Sequence, residues 1–214
     1  MTNKESLFRK VICKMKKQKN TSRLDGKDLM TIGIFTAVYF VLNLLVAFAL
    51  GLIPLVSTLI PFVSSLVLGI PMMLYLTKIK KFSMLLITCI VYGAFLVLAG
   101  VGIYTLIFGT VCGLIGELIL RSGKYQSVNK AILSFAVISV GANANVLQML
   151  FASSDYIAQR AATYGAEFTN RVMGYYENGW YLPVIFLSAF LGGLLGGILG
   201  KAVLKKHFIK SGLV

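Results

Sequence analysis

Three amides interrupt an otherwise apolar run, "SVGANANVLQML" at residues 139–150. Asn143, Asn145 and Gln148 donate and accept hydrogen bonds without titrating, so their chemistry is recognition or structural bonding rather than proton transfer. An amide left unpaired in hydrocarbon costs several kcal/mol, and each must therefore meet protein, water or ligand. On a continuous helix Asn145 and Gln148 lie about 60° apart, whereas Asn143 lies about 160° from Asn145. One pair can line a pocket. Asn143 instead stands about 40° from Ser139, a face suited to hydrogen bonding between helices. For each amide taken singly, structural bonding and ligand contact both remain open.

Residues able to break covalent bonds are not grouped. The single histidine, His207, sits in the basic tail "KAVLKKHFIK", and neither GxSxG nor HExxH occurs. The run "GGLLGGILGK" fails as a phosphate-binding loop, because Leu195 stands where glycine is required and Ala202 follows Lys201. Cys13, Cys89 and Cys112 have no metal-ligand spacing, and no disulfide framework is expected. Glu117 lies one turn before Arg121, the favourable order for a helical ion pair. These readings point to a protein that is not an enzyme and uses no cofactor; it either borrows energy from other subunits for uphill transport, or is a stand-alone secondary carrier or a structural membrane protein without ATPase partners.

The amides must be held by membrane helices. Of 214 residues, 57% are hydrophobic and 13% charged, where a soluble domain carries roughly 25% charged residues. Six apolar stretches, at about 29–50, 54–76, 82–100, 103–120, 131–151 and 180–203, meet or approach the roughly 20 residues a span needs. Their continuous Leu, Ile, Val and Gly content excludes the alternation of a membrane β-barrel, so the expected fold is all-α, a six-transmembrane-helix bundle. With the amino terminus inside, only Arg160 and Arg171 of 21 basic residues fall outside. The positive-inside rule then places both termini in the cytoplasm and explains the net charge of +14 better than nucleic acid does.

The chain divides into a basic cytoplasmic segment (1–28), a membrane domain (29–203) and a basic tail (204–214). Residues before Arg23 lack the apolar core of a signal peptide or a span. Leu7, Val11 and Met15 recur at helical spacing, and the segment reads either as a basic amphipathic helix on anionic lipid or as a disordered tail.

Small residues supply packing faces. Gly192, Gly196 and Gly200 form one row and Gly193 with Gly197 a second, while Gly109, Gly113 and Gly116 form a ridge on the fourth span. Gly33 and Ala37 share a face near the inner end of the first. The longest outer connection, 152–179, carries Ile157, Ala161, Tyr164, Phe168, Val172 and Tyr175 at helical spacing, and Ser153 or Ser154 can cap it. A helix of about 20 residues, roughly 30 Å long, would cross the mouth of a small bundle. Two readings stand: an interfacial helix with Tyr176, Trp180 and Tyr181 in the aromatic belt, or a lid over a pocket reached from below by Asn145 and Gln148.

Three segments, "KDLMTIGIFTAVYFVLN" (27–43), "GELILRSGKYQS" (116–127) and "GGLLGGILGKAVLKKHFIKSGLV" (192–214), resemble the Trep_Strep family of bacterial integral membrane proteins. That family in turn resembles the substrate-binding S components of energy-coupling factor transporters, the vitamin-uptake class of ABC importers. The resemblance implies a six-helix protein of the bacterial cytoplasmic membrane. It would capture a small molecule outside and dock on a transmembrane coupling subunit carrying two ATPases. It assigns Gly33 and Ala37 to the coupling contact, with glycine where many S components have alanine. The expected substrate site is Asn145, Gln148, Ile157, Tyr164, Phe168 and Trp180. Few intramembrane charges favour a neutral or amphipathic ligand over an ion, and the aromatic content fits a planar vitamin-like or tetrapyrrole molecule.

Overall fold

A computed structural model describes residues 24–78 and 81–205, and within them every regular element is helical. The basic segment before Arg23 and the tail with His207 lie outside the described residues. Helix α1 (Gly26–Leu50) opens on a capping box: Asp25 accepts from the Lys27 and Asp28 amides at 2.9 and 3.0 Å, and Asp28 accepts from the Asp25 amide. The second stretch is divided into α2 (Pro54–Ser57) and α3 (Ile60–Lys78), where one helix was expected over 54–76. Two causes are local. The Ser57 and Thr58 hydroxyls bond back to the Pro54 and Leu55 carbonyls, and Pro61 offers no amide to continue the ladder.

Helix α4 (Met84–Leu98) is shorter than the expected 82–100, bounded by left-handed Ser83 (φ 73°) and by Gly100 (φ 75°). Helices α5 (Tyr104–Ser122) and α6 (Val128–Ala142) follow. After α6 come a 3₁₀ turn (Ala144–Val146) and the short α7 (Leu147–Leu150). The expected single outer helix is two, α8 (Ser154–Tyr164) and α9 (Ala166–Tyr176), before the last helix α10 (Tyr181–Val203). Between them Gly165 adopts φ 90° and ψ 147°, a conformation open essentially to glycine alone. Ser153, one of the two expected caps, accepts from the Tyr156 amide.

Long helices consecutive along the chain alternate in direction. Phe35 of α1 meets Tyr75 of α3, while Tyr39 and Phe40 meet Tyr92 and Phe95 of α4, so α1 runs antiparallel to α3 and parallel to α4. Helices α3, α5 and α10 all end with Lys78, Arg121 or Lys201 in the last turn, which creates a basic end and an opposite end. Cations there also meet the negative ends of three helix dipoles. Five helical segments, α1, α3, α5, α6 with its extension to Leu150, and α10, are long and apolar enough to cross a membrane. Helix α4 has 15 residues, about 22 Å against a hydrocarbon layer of about 30 Å. Outward side chains such as Leu45, Phe48, Leu98 and Val184 are exposed, as lipid contact requires.

The glycine rows set the spacing of the bundle. A Cβ at Gly192 would stand 2.5 Å from the Phe62 carbonyl, and one at Gly200 2.8 Å from that of Gly69, so the first row seats α10 on α3. One at Gly193 or Gly197 would meet Ser139 or Ile132, so the second row seats α10 on α6. On α5, Gly113 faces Cys89 of α4 and Gly116 faces Ser134 of α6.

Glu117 departs from the expected helical ion pair. Its carboxylate is 0% exposed and accepts from the Leu85 amide at 3.0 Å and the Tyr125 hydroxyl at 2.7 Å. Helix α4 starts without a side-chain cap of its own, and Glu117 supplies one from α5. Arg121 turns away, its guanidinium 5.3 Å from the Phe82 ring centroid. Sequence spacing offered the neighbour one turn away, but the first turn of a packed helix offers directed donors in a dry place.

Candidate functional site

The polar run at 143–148 is where α6 breaks. Asn143 is the C-cap of α6, 7% exposed; its side-chain nitrogen donates to the Ser139 carbonyl at 2.8 Å and to the Ser65 hydroxyl of α3 at 3.3 Å. It therefore both satisfies the end of α6 and ties it to α3. The following 3₁₀ turn re-aims the chain, so the angles of a continuous helix do not hold beyond Asn143.

This break forms one wall of a cavity of about 140 Å³ at the opposite end of the bundle. By the same measure a single water needs about 10–15 Å³. Asn143, Asn145, Val146 and Met149 line it from the broken segment; Ser57, Ile60 and Pro61 from α2 and α3; Tyr181 and Ile185 from α10. Helices α8 and α9 cover it with Tyr156 and Arg160 of α8 and Val172 and Tyr176 of α9. Tyr181 lies edge-on to Tyr176, centroids 4.9 Å apart, and joins the cover to α10. Burial, reinforced by Tyr181, raises the Tyr176 hydroxyl above the usual tyrosine value near 10, although Arg160 pulls the other way.

The expected substrate residues fall in different places. Asn145 lines the cavity. Gln148 packs against the turn before α5, where a Cβ on Gly102 would stand 2.9 Å from its amide carbon, so the two amides are not brought to one lining. Ile157, Tyr164, Phe168 and Trp180 also lie outside the lining, Tyr164 being 50% and Trp180 79% exposed. Tyr164 and Phe168 stack at 5.6 Å across the Gly165 break, and the Arg160 guanidinium lies over Tyr164 at 5.0 Å. They support a cavity residue from behind.

The cavity face of the cover is displaced from the apolar stripe by about 60–100°, since Arg160 and Tyr156 lie at those angles from Ile157 on a helix. Arg160 is the functional candidate that periodicity does not single out. Its signal is topological: it is one of only two arginines or lysines on the outer side in the positive-inside assignment. A second interior space of about 20 Å³, lined by Thr36, Tyr39, Met72, Cys89 and Tyr92 among others, has room for about one water.

At the basic half, Gly33 and Ala37 are exposed on α1, and nothing lies within 4 Å of a Cβ built on Gly33. Met30, Ile34 and Val38 beside them are exposed as well. This face of α1 is open to lipid or to another membrane helix.

The family described as hypothetical bacterial integral membrane protein (Trep_Strep) matches the chain over residues 26–210, and the protein belongs to it. No curated protein and no solved structure gives a significant match.

Proposed function

We propose that this Trep_Strep protein is the substrate-binding S component of an energy-coupling factor importer. In this reading it has six spans with α4 as a short sixth, lies in the bacterial cytoplasmic membrane with both termini inside, and is not itself an enzyme. The cavity between the broken end of α6 and the covering pair α8 and α9 carries the reading, because it combines polar walls, aromatic groups and a cover on the outer side. The Gly165 joint gives that cover a place to bend, so the pair acts as a lid. Gly33 and Ala37, open on α1, form the contact for a coupling subunit that carries two ATPases. The captured molecule is small, vitamin-like and planar.

Affinity purification from native membranes tests the reading, with mass spectrometry of co-purifying proteins and of metabolites released on denaturation. A coupling subunit, two ATPases and a retained metabolite are expected. Replacing Gly33 and Ala37 together by leucine abolishes the complex and leaves ligand binding intact; unimpaired ATP-driven uptake by that variant would refute the assignment.

Two observations favour a second reading, a stand-alone secondary carrier. Helix α6 is discontinuous at Asn143–Val146, and Glu117 is a buried ionisable group; both features recur in carriers. Uptake by the purified protein alone in liposomes, driven by an ion gradient, would select it.

A further inference from the structure

We propose that the cavity holds its ligand through an oxyanion, a carboxylate or phosphate group seated on Arg160. This rests on the reading of the cavity as the capture site and specifies the chemistry captured there. Among the described residues, Arg160 is the only charged one in the lining. Its Nε is buried and has no hydrogen-bond partner among the described residues. The carboxylates nearest along the chain are exposed and do not pair with it: Glu167 is held by Arg171 at 2.8 Å, and Asp155 and Glu177 face outward.

A guanidinium with a desolvated, unpaired donor destabilises the protein that holds it. The guanidinium carbon lies over the Tyr164 ring, 5.0 Å from its centroid, and this contact supplies no acceptor oxygen to the N–H groups that form a fork. Carboxylate and phosphate supply paired acceptors in the matching geometry, and in a partly buried place the charge-assisted bonds are strong. The rest of the wall is neutral. Asn145 offers an amide, and Tyr156, Tyr176 and Tyr181 offer rings and hydroxyls, so the body of the ligand is uncharged and flat. The ligand class is thus a small organic acid with a planar apolar part. This narrows the expectation of a neutral or amphipathic molecule to an amphipathic anion, because a lone arginine under the cover leaves a neutral ligand with an unbalanced charge beside it.

The test uses the full chain in lipid nanodiscs and reads thermal unfolding midpoints with benzoate, phenyl phosphate and benzamide as probes. Benzoate or phenyl phosphate raises the wild-type midpoint in a saturable way and benzamide does not; whichever of the two acids is stronger identifies the oxyanion. Arg160→Gln weakens that acid by roughly thirtyfold or more, the loss expected when one partner of a buried charge pair is removed. The ligand-free midpoint of Arg160→Gln is equal to or above wild type, whereas an arginine with a structural role would lower it. Equal response to benzamide, no saturable response to either acid, or a lowered ligand-free midpoint overturns the inference. Co-purification of ATPases is read separately. Acid binding without ATPases sinks the importer reading alone, and ATPases without acid binding sink this inference alone.

Discussion

The two ends of the bundle are built on opposite terms. From its middle toward the basic end, glycine rows bring backbones together, both Glu117 carboxylate oxygens accept hydrogen bonds, and the Asp28–Lys81 pair joins the start of α1 to the turn before α4. Toward the opposite end, α6 breaks, α8 and α9 meet at a glycine joint, and Arg160 borders a cavity with no anionic partner among the described residues. Tight packing and satisfied polar groups raise the cost of local opening, while interrupted helices and open space lower it. One end holds the frame, and the other has the open space that the proposed capture site needs.

The sharpest way to break this contrast is to load the glycine rows. Gly196→Leu would drive a side chain into the backbone of Ser65 and Leu66, and a loss above about 4 kcal/mol is expected. The readout is monodisperse protein in detergent: a well-folded Gly196→Leu protein would show that the frame is loose. Glu117→Ala comes next, at roughly 2–4 kcal/mol, because the Leu85 amide and Tyr125 hydroxyl lose their acceptor in a buried site. Glu117→Gln retains part of that bonding and costs less. If it folds yet abolishes gradient-driven uptake, the carrier reading gains at the importer's expense.

At the open end, effects on stability are smaller and effects on binding larger. Asn143→Ala removes the bond to Ser65 and the cap on α6 for about 1–2 kcal/mol, and by releasing the break it displaces Asn145 from the cavity. Ligand affinity unchanged by this substitution would detach the break from the site. Gly165→Ala strains the joint at about 1 kcal/mol or somewhat more. Hydrogen exchange over 154–176 should accelerate in that variant, and in wild type it should slow on ligand binding; no response to either change would mark the cover as static. The smallest effect concerns Tyr176. Its hydroxyl titrates above the unfolded value of about 10, so its contribution is fully present below that pH and fades as pH rises through the folded value. The ordering of the cover, followed by Trp180 fluorescence, should therefore weaken only in strong base.

Several features of the frame were legible from residue order. Helix positions followed from apolar length and the glycine rows from four-residue spacing, because lipid rewards continuous apolar helices and close packing demands small side chains. Asn143 was legible as a bonding residue from its angle to Ser139. The breaks were harder: Ser57, Thr58 and Pro61 signal the first, but the apolar flanks read as one helix. The site was less legible still. Periodicity along 154–176 assumed one helix, whereas the Gly165 joint divides it and the cavity face is displaced from the apolar stripe toward Tyr156 and Arg160.

Apolar length and residue spacing alone specify an all-helical membrane protein and its packing faces, since these depend on interactions within a helix or between helix and lipid. The packing of distant segments settles that Glu117 caps α4 rather than pairing with Arg121, that Gln148 leaves the wall Asn145 joins, and that Arg160 overhangs a cavity. Those outcomes depend on which donors and acceptors from distant segments reach one dry place, a competition that spacing along a single helix does not contain.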